Sequence, residues 1–487
     1  MKREKVLGVR LARAVQSGRA TLRIAFLVVI AALAVTAAQA QMTIKAIYDF
    51  SNTSGPLDPQ LVGVIAQGRD GNMWSTAPKG GKNGIGAAFK ITPGGKLTDV
   101  HDFDPSKGEG TSYSGLTLGT DGDFYGTMIN GGSSTSCSGG CGAIFKMTPA
   151  GAVTILYSFT GGNDGKNPYA PPIQAANGTF WGNTYSGGIS GYGTVYELTA
   201  TGKFETTCVQ FNGSPNGARP VGPLVQGTDG SFYGTTQNGV DVNYGTVFKL
   251  TSSCGFTLLA TFGRGEEPTA GLVEGANGNF YGAAYGAGAH GVGYVFEITP
   301  KGVLTDIYDF TGGSDGGHPY AGLTLATDGN FFVPLAGYGE GYGTVDEFTQ
   351  SGAFVTSAEF DATDGAYPSA PLIQPTNGSL YGGASEGGQT TNTGTFYETT
   401  GLKFEKTPFV SLLPTSGKVG STVEILGQGF VKEKTTVSFN GGMANQGMVV
   451  SATYMTATVP TGATTGFVTV TTPTATLKSN RKFQVLK

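Results

Sequence analysis

The chain has 487 residues, of which 82 are glycine and 13% are charged, and its formal net charge is −4. Residues 1–40 contain seven basic residues and one acidic residue, so the remainder has 23 basic and 33 acidic residues and a net charge of −10. Such an acidic surplus repels phosphate backbones, and the composition therefore argues against nucleic acid as a partner.

The first 40 residues are predicted to be a cleavable signal peptide. Basic residues precede an apolar run from Ile24 to about Ala38, and Ala38-Gln39-Ala40 supplies small residues for cleavage. The apolar run is short for a membrane span. We therefore expect export to the cell surface, the extracellular space or the periplasm, and no transmembrane anchor in the mature chain.

Residues 41–406 contain seven repeats of about 50 residues. One phrase recurs in each of them: DGNMW (70–74), DGDFYG (121–126), NGTFWG (177–182), DGSFYG (229–234), NGNFYG (277–282), DGNFFV (328–333) and NGSLYG (377–382). A second phrase follows it, such as GTVFKLTSSCGFTLLATF (245–262). Asp-Gly or Asn-Gly turns one hairpin and TPxG-like turns another, which predicts four short strands per repeat. The period and the strand count predict an all-β fold with a seven-bladed β-propeller, and an open β-solenoid is the poorer alternative.

The segment before the first full repeat matches the end of a repeat. Residues 44–50, IKAIYDF, resemble the last strand TDIYDF (305–310), whereas the corresponding segment of the seventh repeat, 402–409, is irregular. A strand that completes the last blade would remove an unpaired sheet edge. We expect residues 44–50 to supply or reinforce the outer strand of blade seven.

Four cysteines in an exported chain allow two disulfides. Cys137 and Cys141 flank a short loop and are candidates for a local bridge, while Cys208 and Cys254 lie in neighbouring repeats and are candidates for a bridge between blades three and four. Neither pair has a nearby histidine, so we expect no metal site there and no cofactor.

The repeat pattern ends after Pro408. Turn signals about every ten residues predict a small β-sandwich over residues 407–487. The string PTSGKVGSTVEILGQGF, followed by VSFNG and VPTGATTGFVTV, resembles the IPT/TIG family of immunoglobulin-like domains. That resemblance implies a spacer or interaction module and no particular ligand.

The repeat resembles a second family. The pattern FYGTT…GG…GTVFKLTPxGxxTxLYxF is similar to the GloVer tandem repeat of bacterial surface proteins, and the similarity covers about residues 41–406. It implies an exported protein with a repeated β architecture. The family brings no established catalytic or ligand-binding residues.

The longer loops are expected to gather on the propeller face opposite the DG, NG and TPxG turns, whose acids we interpret as turn formers. Tyrosine faces beside carboxylates suit binding of sugars or peptides. The same loops also contain Tyr185, Tyr285, His290, Tyr338, Glu340 and Tyr367. The predicted ligand-binding residues are Asp164, Tyr169, Tyr192, Asp315, His318, Tyr320, Tyr342 and Asp364. The alternative is that these recurring residues only shape the loops and pack between blades.

The sequence gives little support for a catalytic site. The three histidines, His101, His290 and His318, lie in different repeats without a recognisable nucleophile or metal motif. Arg69 is expected on the face that carries the DG, NG and TPxG turns, away from Arg219 and Arg264. We therefore expect no arginine cluster of the sialidase type. A pair of carboxylates for glycoside cleavage remains open among Asp164, Asp315, Glu340 and Asp364.

The sequence favours an exported, non-catalytic binding or display protein whose ligand is an extracellular glycan or protein. A polysaccharide-active enzyme, either a glycosidase or a lyase, is the second hypothesis. A purely structural surface protein is the third.

Overall fold

The computed structural model describes residues 41–51, 55–59, 63–239, 244–337, 341–389, 392–404, 406–442 and 445–486. The signal-peptide prediction for residues 1–40 lies outside these residues. Thr43–Lys487 form one compact unit. The described part of the chain consists of β-strands, turns and one 3-10 helix, Pro105–Lys107, which makes the fold all-β as predicted.

The described residues of the repeat region form thirty strands. They are β1 (Thr43–Asp49), β2 (Pro56–Leu57), β3 (Ala66–Gln67), β4 (Met73–Ala77), β5 (Lys79–Gly80), β6 (Ala87–Ile91), β7 (Leu97–Asp102), β8 (Thr117–Leu118), β9 (Phe124–Met128), β10 (Ala143–Met147), β11 (Val153–Ser158), β12 (Ile173–Gln174), β13 (Phe180–Thr184), β14 (Thr194–Leu198), β15 (Phe204–Gln210), β16 (Val225–Gln226), β17 (Phe232–Thr236), β18 (Thr246–Leu250), β19 (Phe256–Thr261), β20 (Val273–Glu274), β21 (Phe280–Ala284), β22 (Tyr294–Ile298), β23 (Leu304–Asp309), β24 (Thr324–Leu325), β25 (Phe331–Leu335), β26 (Thr344–Phe348), β27 (Phe354–Glu359), β28 (Ala366–Pro368), β29 (Leu380–Glu386) and β30 (Thr395–Thr400).

These strands form seven four-stranded antiparallel sheets, one per repeat. In chain order, sheet 1 is β3-β4-β6-β7, sheet 2 is β8-β9-β10-β11, sheet 3 is β12-β13-β14-β15, sheet 4 is β16-β17-β18-β19, sheet 5 is β20-β21-β22-β23, sheet 6 is β24-β25-β26-β27 and sheet 7 is β28-β29-β30-β1. The short strands β2 and β5 pair separately. The four strands predicted for each repeat are therefore confirmed.

The strand that precedes the first repeat completes the last sheet. β1 pairs antiparallel with β30, from Thr43 opposite Thr400 to Asp49 opposite Thr395. The described residues between 402 and 409 form no strand. The expected pairing of residues 44–50 with the seventh repeat is confirmed, and the early segment supplies the outer strand rather than reinforcing an existing one.

The DG and NG turns are held by their own side chains. In sheet 4, Asp229 Oδ1 accepts a hydrogen bond from the Ser231 amide at 3.0 Å, and Gly230 takes a φ of 79°. Asp229 Oδ2 accepts from the Tyr233 hydroxyl at 2.8 Å and from Lys249 Nζ at 2.7 Å. Burial opposes ionisation, but these donors hold the pKa of Asp229 below its usual value. The turn acids shape the backbone, as the sequence predicts.

Successive sheets pack through pairs of aromatic rings. The first residue of the recurring aromatic dipeptide faces the preceding sheet and the second faces the following one, because side chains alternate along a strand. Tyr233 of sheet 4 stacks on Phe280 of sheet 5 with ring centroids 3.8 Å apart. The equivalent pairs are Trp74–Phe124, Tyr125–Phe180, Trp181–Phe232 and Tyr281–Phe331, with centroids 4.3, 4.1, 4.2 and 4.4 Å apart.

The last sheet also packs against the first. Tyr381 of sheet 7 shares one buried apolar cluster with Met73, Phe89 and Ile91 of sheet 1. Sheets 6 and 7 are joined by the Thr324 hydroxyl, which donates to the Leu372 carbonyl at 2.7 Å. Each sheet therefore contacts the next, and the seventh contacts the first.

Both expected disulfides are present. Cys137 bonds to Cys141 within one loop of sheet 2. Cys208 on β15 bonds to Cys254 in the last turn of sheet 4, so this bridge joins neighbouring sheets. Two disulfides indicate an oxidising environment of the kind that exported proteins meet.

The C-terminal strands form two further sheets. They are β31 (Ser411–Leu413), β32 (Ser416–Lys418), β33 (Thr422–Leu426), β34 (Thr436–Ser438), β35 (Asn445–Gln446), β36 (Met448–Val449), β37 (Tyr454–Thr458), β38 (Gly466–Thr471) and β39 (Thr476–Leu486). One sheet has the order β31-β33-β37-β36 and the other β32-β39-β38-β34-β35. Their shared apolar core includes Val423, Ile425, Met455, Val468 and Val470.

This C-terminal unit contacts the turn ends of sheets 1, 2 and 7. Arg69, in the first turn of sheet 1, forms an ion pair with Glu424 at 2.5 Å and lies 4.5 Å from the Tyr454 ring. The Thr376 hydroxyl of sheet 7 accepts from Gln67 Nε2 of sheet 1 at 2.8 Å and donates to the Gly427 carbonyl at 3.3 Å. The C-terminal unit therefore spans the junction between sheets 7 and 1.

Sheet 6 departs from the packing inside the other sheets. In sheet 4 the Phe248 ring lies over Gly234 on the neighbouring strand, so close that a Cβ there would be 2.5 Å from the ring. In sheet 6 the same pair is Asp346 opposite Val333. Asp346 is fully buried and accepts a hydrogen bond from the Ser357 hydroxyl at 2.5 Å. Burial raises the pKa of Asp346 well above its usual value, and Asp315 and Glu359 raise it further.

Truncating one ring of an inter-sheet pair is expected to destabilise the fold strongly. Phe280→Ala removes a fully buried ring that stacks on Tyr233, and we expect a loss of about 3–5 kcal/mol in the free energy of unfolding. Val303→Ala in the same sheet, at a residue that is 61% exposed, is the control and should change stability little. Denaturant unfolding measures both, and equal losses would contradict the packing described here.

The buried carboxyl of sheet 6 is expected to make stability depend on pH. Its raised folded-state pKa means that its stabilising contribution is complete below the unfolded-state value, about 3.9, and is lost as pH rises toward the folded-state value. Asp346→Asn keeps the acceptor for Ser357 but cannot ionise. Unfolding free energies measured from acid to neutral pH should fall more steeply for the parent protein than for Asp346→Asn. Parallel curves would contradict this prediction.

Candidate functional site

The two ends of the sheets differ in their connections. The DG or NG turn and the TPxG-like turn of each sheet lie at one end, here called the turn face, because they join the first to the second strand and the third to the fourth. The loops between the second and third strands, and the connections from one sheet to the next, lie at the other end, here called the loop face. The face assignment made from the sequence is confirmed.

A proline contact recurs on the loop face. Before the third strand of a sheet stands a glycine, and a Cβ on that glycine would collide with the proline of the next inter-sheet connection. At Gly193 the Cβ would be 2.9 Å from Pro220 Cδ, and at Gly293 it would be 2.7 Å from Pro319 Cδ. Both glycines also have a positive φ. This contact fixes where the connections that contain the proline cross the loop face.

The residue before the proline takes an unusual backbone conformation in most of these connections. A positive φ costs a residue other than glycine on the order of 1–3 kcal/mol, and such strain is concentrated at functional sites. The five residues with this conformation are Asp58, Asn167, Arg219, His318 and Tyr367, with φ of 63°, 53°, 59°, 55° and 53°. The φ angle is similar in all five connections, whereas the side chains differ in charge, size and hydrogen-bonding capacity.

Neighbouring loops hold this strained position by backbone hydrogen bonds. The Arg219 amide donates to the Tyr192 carbonyl at 2.8 Å, and the Tyr367 amide donates to the Tyr342 carbonyl at 2.8 Å. The rings of Tyr192 and Tyr342 are exposed. These two predicted residues therefore lie beside the strained position of the following connection.

Two of the predicted carboxylates are engaged within their own loops. Asp164 is buried and accepts from the Tyr157 hydroxyl at 2.9 Å and from the Thr160 amide at 2.7 Å. Asp315 accepts from the Tyr308 hydroxyl at 2.8 Å and from the Thr311 hydroxyl. Burial opposes ionisation of Asp315, but the hydrogen bonds hold its pKa below the usual value. In this structure both side chains stabilise a tight connection.

Asp364 differs from these two carboxylates. It is half-buried and accepts from the Asp361 amide at 3.0 Å. Burial raises the pKa of Asp364 to about 6, although this hydrogen bond opposes the rise. Tyr338 and Glu340, two other residues considered from the sequence, lie outside the described residues.

A row of aromatic rings crosses the loop face from sheet 1 to sheet 4. The Tyr113 and Tyr169 ring centroids are 6.1 Å apart, and those of Tyr169 and Tyr185 are 5.2 Å apart. The Arg219 guanidinium carbon lies 5.6 Å from the Tyr185 ring centroid. Burial raises the pKa of Tyr169, and the neighbouring tyrosines add to this rise. Tyr113 and Arg219 were not among the predicted binding residues.

A second aromatic group lies on the loop face of sheets 5 and 6. The Tyr285 ring stacks on His318 with centroids 4.5 Å apart, and Tyr320 is also 4.5 Å from Tyr285. His318 Nδ1 is 3.0 Å from the Tyr285 carbonyl oxygen. The Tyr320 hydrogen bond, together with burial, raises the pKa of Tyr285 to about 12. The structure thus brings two predicted residues, His318 and Tyr320, into one group.

Three observations limit the chemistry of the described part of the chain. Arg69 lies on the turn face in its ion pair with Glu424, so it cannot join Arg219 or Arg264. Among the residues the structure describes, no group of three or more His, Cys, Asp or Glu side chains is placed to hold a metal ion. In the same residues, no helix is long and apolar enough to cross a membrane.

Solved structures similar to this chain are distant in sequence. A fungal alcohol oxidase of the AA5 family, solved in complex with copper, is 12% identical, covers 90% of this chain and 98% of its own, and has a TM-score of 0.51. A luciferin-regenerating enzyme is 11% identical, covers 75% of this chain and 97% of its own, and has a TM-score of 0.40. At such identity the similarity to the oxidase shows the fold alone.

Sequence comparison identifies the repeat. No curated protein sequence matches the chain. The model of the Gloeobacter/Verrucomicrobia repeat matches residues 133–333 and 255–450, which together cover more than half of the chain. These matches agree with the GloVer resemblance of the repeated phrases. The chain therefore belongs to the Gloeobacter/Verrucomicrobia repeat family.

Proposed function

We propose that this protein is an exported, non-catalytic binding protein whose loop face binds an extracellular glycan or protein. The observation that carries the proposal is the strained position before the proline of the inter-sheet connections. A similar φ recurs there at Asp58, Asn167, Arg219, His318 and Tyr367, of which Arg219 and Tyr367 are exposed. Repetition explains the backbone but not the differences among the side chains, and such differences suit recognition of an asymmetric ligand.

The architecture we infer is a closed seven-bladed propeller in which each four-stranded sheet is one blade. Its support is the sheet count, the pairing of β1 with β30 and the contact of Tyr381 with the first sheet. We also infer that residues 407–487 form an immunoglobulin-like domain of the IPT/TIG type. The support for that inference is the sequence resemblance, together with two sheets around one core.

Export through a cleavable signal at residues 1–40 is part of the proposal. Its support is the apolar run with its basic flank, together with the two disulfides. Export places the loop face among extracellular ligands.

A polysaccharide-active enzyme is the second candidate. The observation that favours it is Asp364 on the loop face, because a carboxyl with a pKa of about 6 suits general acid catalysis near neutral pH. Turnover assays on the same polysaccharides that are tested for binding separate the two candidates. Release of reducing ends or of unsaturated sugars, lost in Asp364→Asn, would establish the enzyme.

Removal of the closing strand is expected to open the ring. A mature chain that starts at Phe50 leaves β30 as an unpaired edge, so we expect the free energy of unfolding to fall by about 3 kcal/mol or more and the protein to associate. Lys45→Ala changes one exposed side chain of β1 and is the control. Melting curves and light scattering measure both variants. A truncated protein that stays monomeric and equally stable would contradict a ring closed by β1.

Loop-face substitutions are expected to affect binding and not folding. A glycan array and a panel of extracellular proteins identify the ligand, and the variants Tyr169→Ala, His318→Ala and Tyr320→Ala should each then weaken binding about tenfold with little change in melting temperature. Asp229→Asn on the turn face is the control for binding. If these three variants bind normally while Asp229→Asn abolishes binding, the site is on the turn face and the proposal is wrong.

A further inference from the structure

Arg219 is a cation on the loop face without a carboxylate partner among the described residues. Its side chain is exposed, and the ion pairs of the described chain do not include it. Arg69, in contrast, is paired with Glu424 and fixed to the C-terminal unit. The side chain of Arg219 lies against the ring of Tyr185, which leaves the guanidinium N–H donors available for a ligand.

The backbone holds Arg219 firmly even though its conformation is strained. Its amide donates to the Tyr192 carbonyl at 2.8 Å, and its carbonyl accepts from the Gln237 amide at 3.1 Å. Its φ of 59° is a conformation that a glycine would adopt without strain. An arginine held at such a position, where no described carboxylate pairs with it, points to a role of the side chain in recognition.

The aromatic row that ends at Arg219 determines what kind of ligand fits. Tyr113 and Tyr169 come from successive inter-sheet connections, and Tyr185 comes from the loop between β13 and β14. Each is half-buried, so part of each ring faces solvent. Tyrosine combines an apolar face with a hydroxyl, which suits the apolar faces and hydroxyl groups of sugar rings. The planar guanidinium at the end of the row matches a carboxylate in a bidentate geometry.

We propose that Tyr113, Tyr169, Tyr185 and Arg219 form a subsite for an oligosaccharide that bears carboxylates, such as one containing uronic acids. The tyrosines contact the sugar rings, and Arg219 binds one carboxylate. This inference rests on the proposed glycan-binding function and names the class of glycan. A single cation suits isolated carboxylates better than a phosphate polymer, which requires several basic residues along its backbone.

The test compares acidic and neutral glycans on one protein. Calorimetric titrations of the mature chain use uronic-acid oligosaccharides and neutral oligosaccharides of the same length, at low and high salt. We expect the acidic series to bind more tightly and its affinity to fall with salt, because added ions screen an exposed charge pair. Arg219→Gln should weaken acidic binding about tenfold and abolish most of the salt dependence.

A matched control separates the local contact from net charge. Arg264 is exposed in the connection between sheets 4 and 5, on the same face, and Arg264→Gln removes the same charge. We expect this control to bind acidic oligosaccharides within about twofold of the parent protein. Because glutamine keeps the strained backbone of position 219, the melting temperatures of both variants should equal that of the parent.

The outcomes distinguish this inference from the proposed function. Equal binding of acidic and neutral oligosaccharides, unchanged in Arg219→Gln, overturns the carboxylate subsite and leaves glycan binding intact. Equal losses in Arg219→Gln and Arg264→Gln also overturn it, since net charge would then explain the effect. Binding of acidic peptides but of no glycan overturns it in favour of a protein ligand. Absence of binding to every glycan and protein tested overturns both the subsite and the proposed function.

Discussion

The structure depends on one contact that is repeated around the molecule, the stacking of an aromatic ring of one sheet on an apolar side chain of the next. The recurring aromatic dipeptide serves two interfaces at once, because consecutive residues of a strand point to opposite faces. Tyr233 faces sheet 5 while its neighbour Phe232 faces Trp181 of sheet 3. A sheet with only four short strands cannot bury both of its faces by itself, so each sheet is stable only between its neighbours.

The same contact explains why the loop face can vary. The stacked rings, the cross-strand glycines and the contacts between glycine and proline recur around the repeats and hold the backbone. Before the proline, Asn167 also donates to the Ile129 carbonyl and Asp58 pairs with Lys79. The same position holds an acid, an amide, a cation, an imidazole or a phenol in different connections. The strands inside a sheet tolerate less variation. In sheet 6, Asp346 and Val333 replace the ring and the glycine of the other sheets, and this places a carboxyl inside the protein.

The sequence was sufficient to predict the repeated sheets, the closing strand and both cysteine pairs. The sheets and the cysteine pairs follow from local patterns. The closing strand follows from residues 44–50, which resemble the end of a repeat but precede the first full repeat. It was less informative about the site. The recurrence of Asp164 and Asp315 in similar loops was itself a sign of a structural role, and both carboxylates are engaged by neighbouring Thr and Tyr groups. The strained conformation of Arg219 depends on contacts with a loop of the preceding sheet, and no short sequence pattern reveals it. Tyr113 was missed because its connection lacks the proline that marks the equivalent position elsewhere.

The junction between sheets 7 and 1 has a consequence for how the chain folds. One of its components, β1, is synthesised first, whereas β30 and the C-terminal unit that spans the same junction are synthesised last. The middle sheets can pack on their neighbours as they emerge, but β1 and one side of the first sheet must wait for partners in the seventh sheet, more than 300 positions later in the chain. Such distant contacts slow folding and leave strand edges open in the meantime. The contact between the seventh and the first sheets can therefore form only after nearly the whole repeat region has been synthesised.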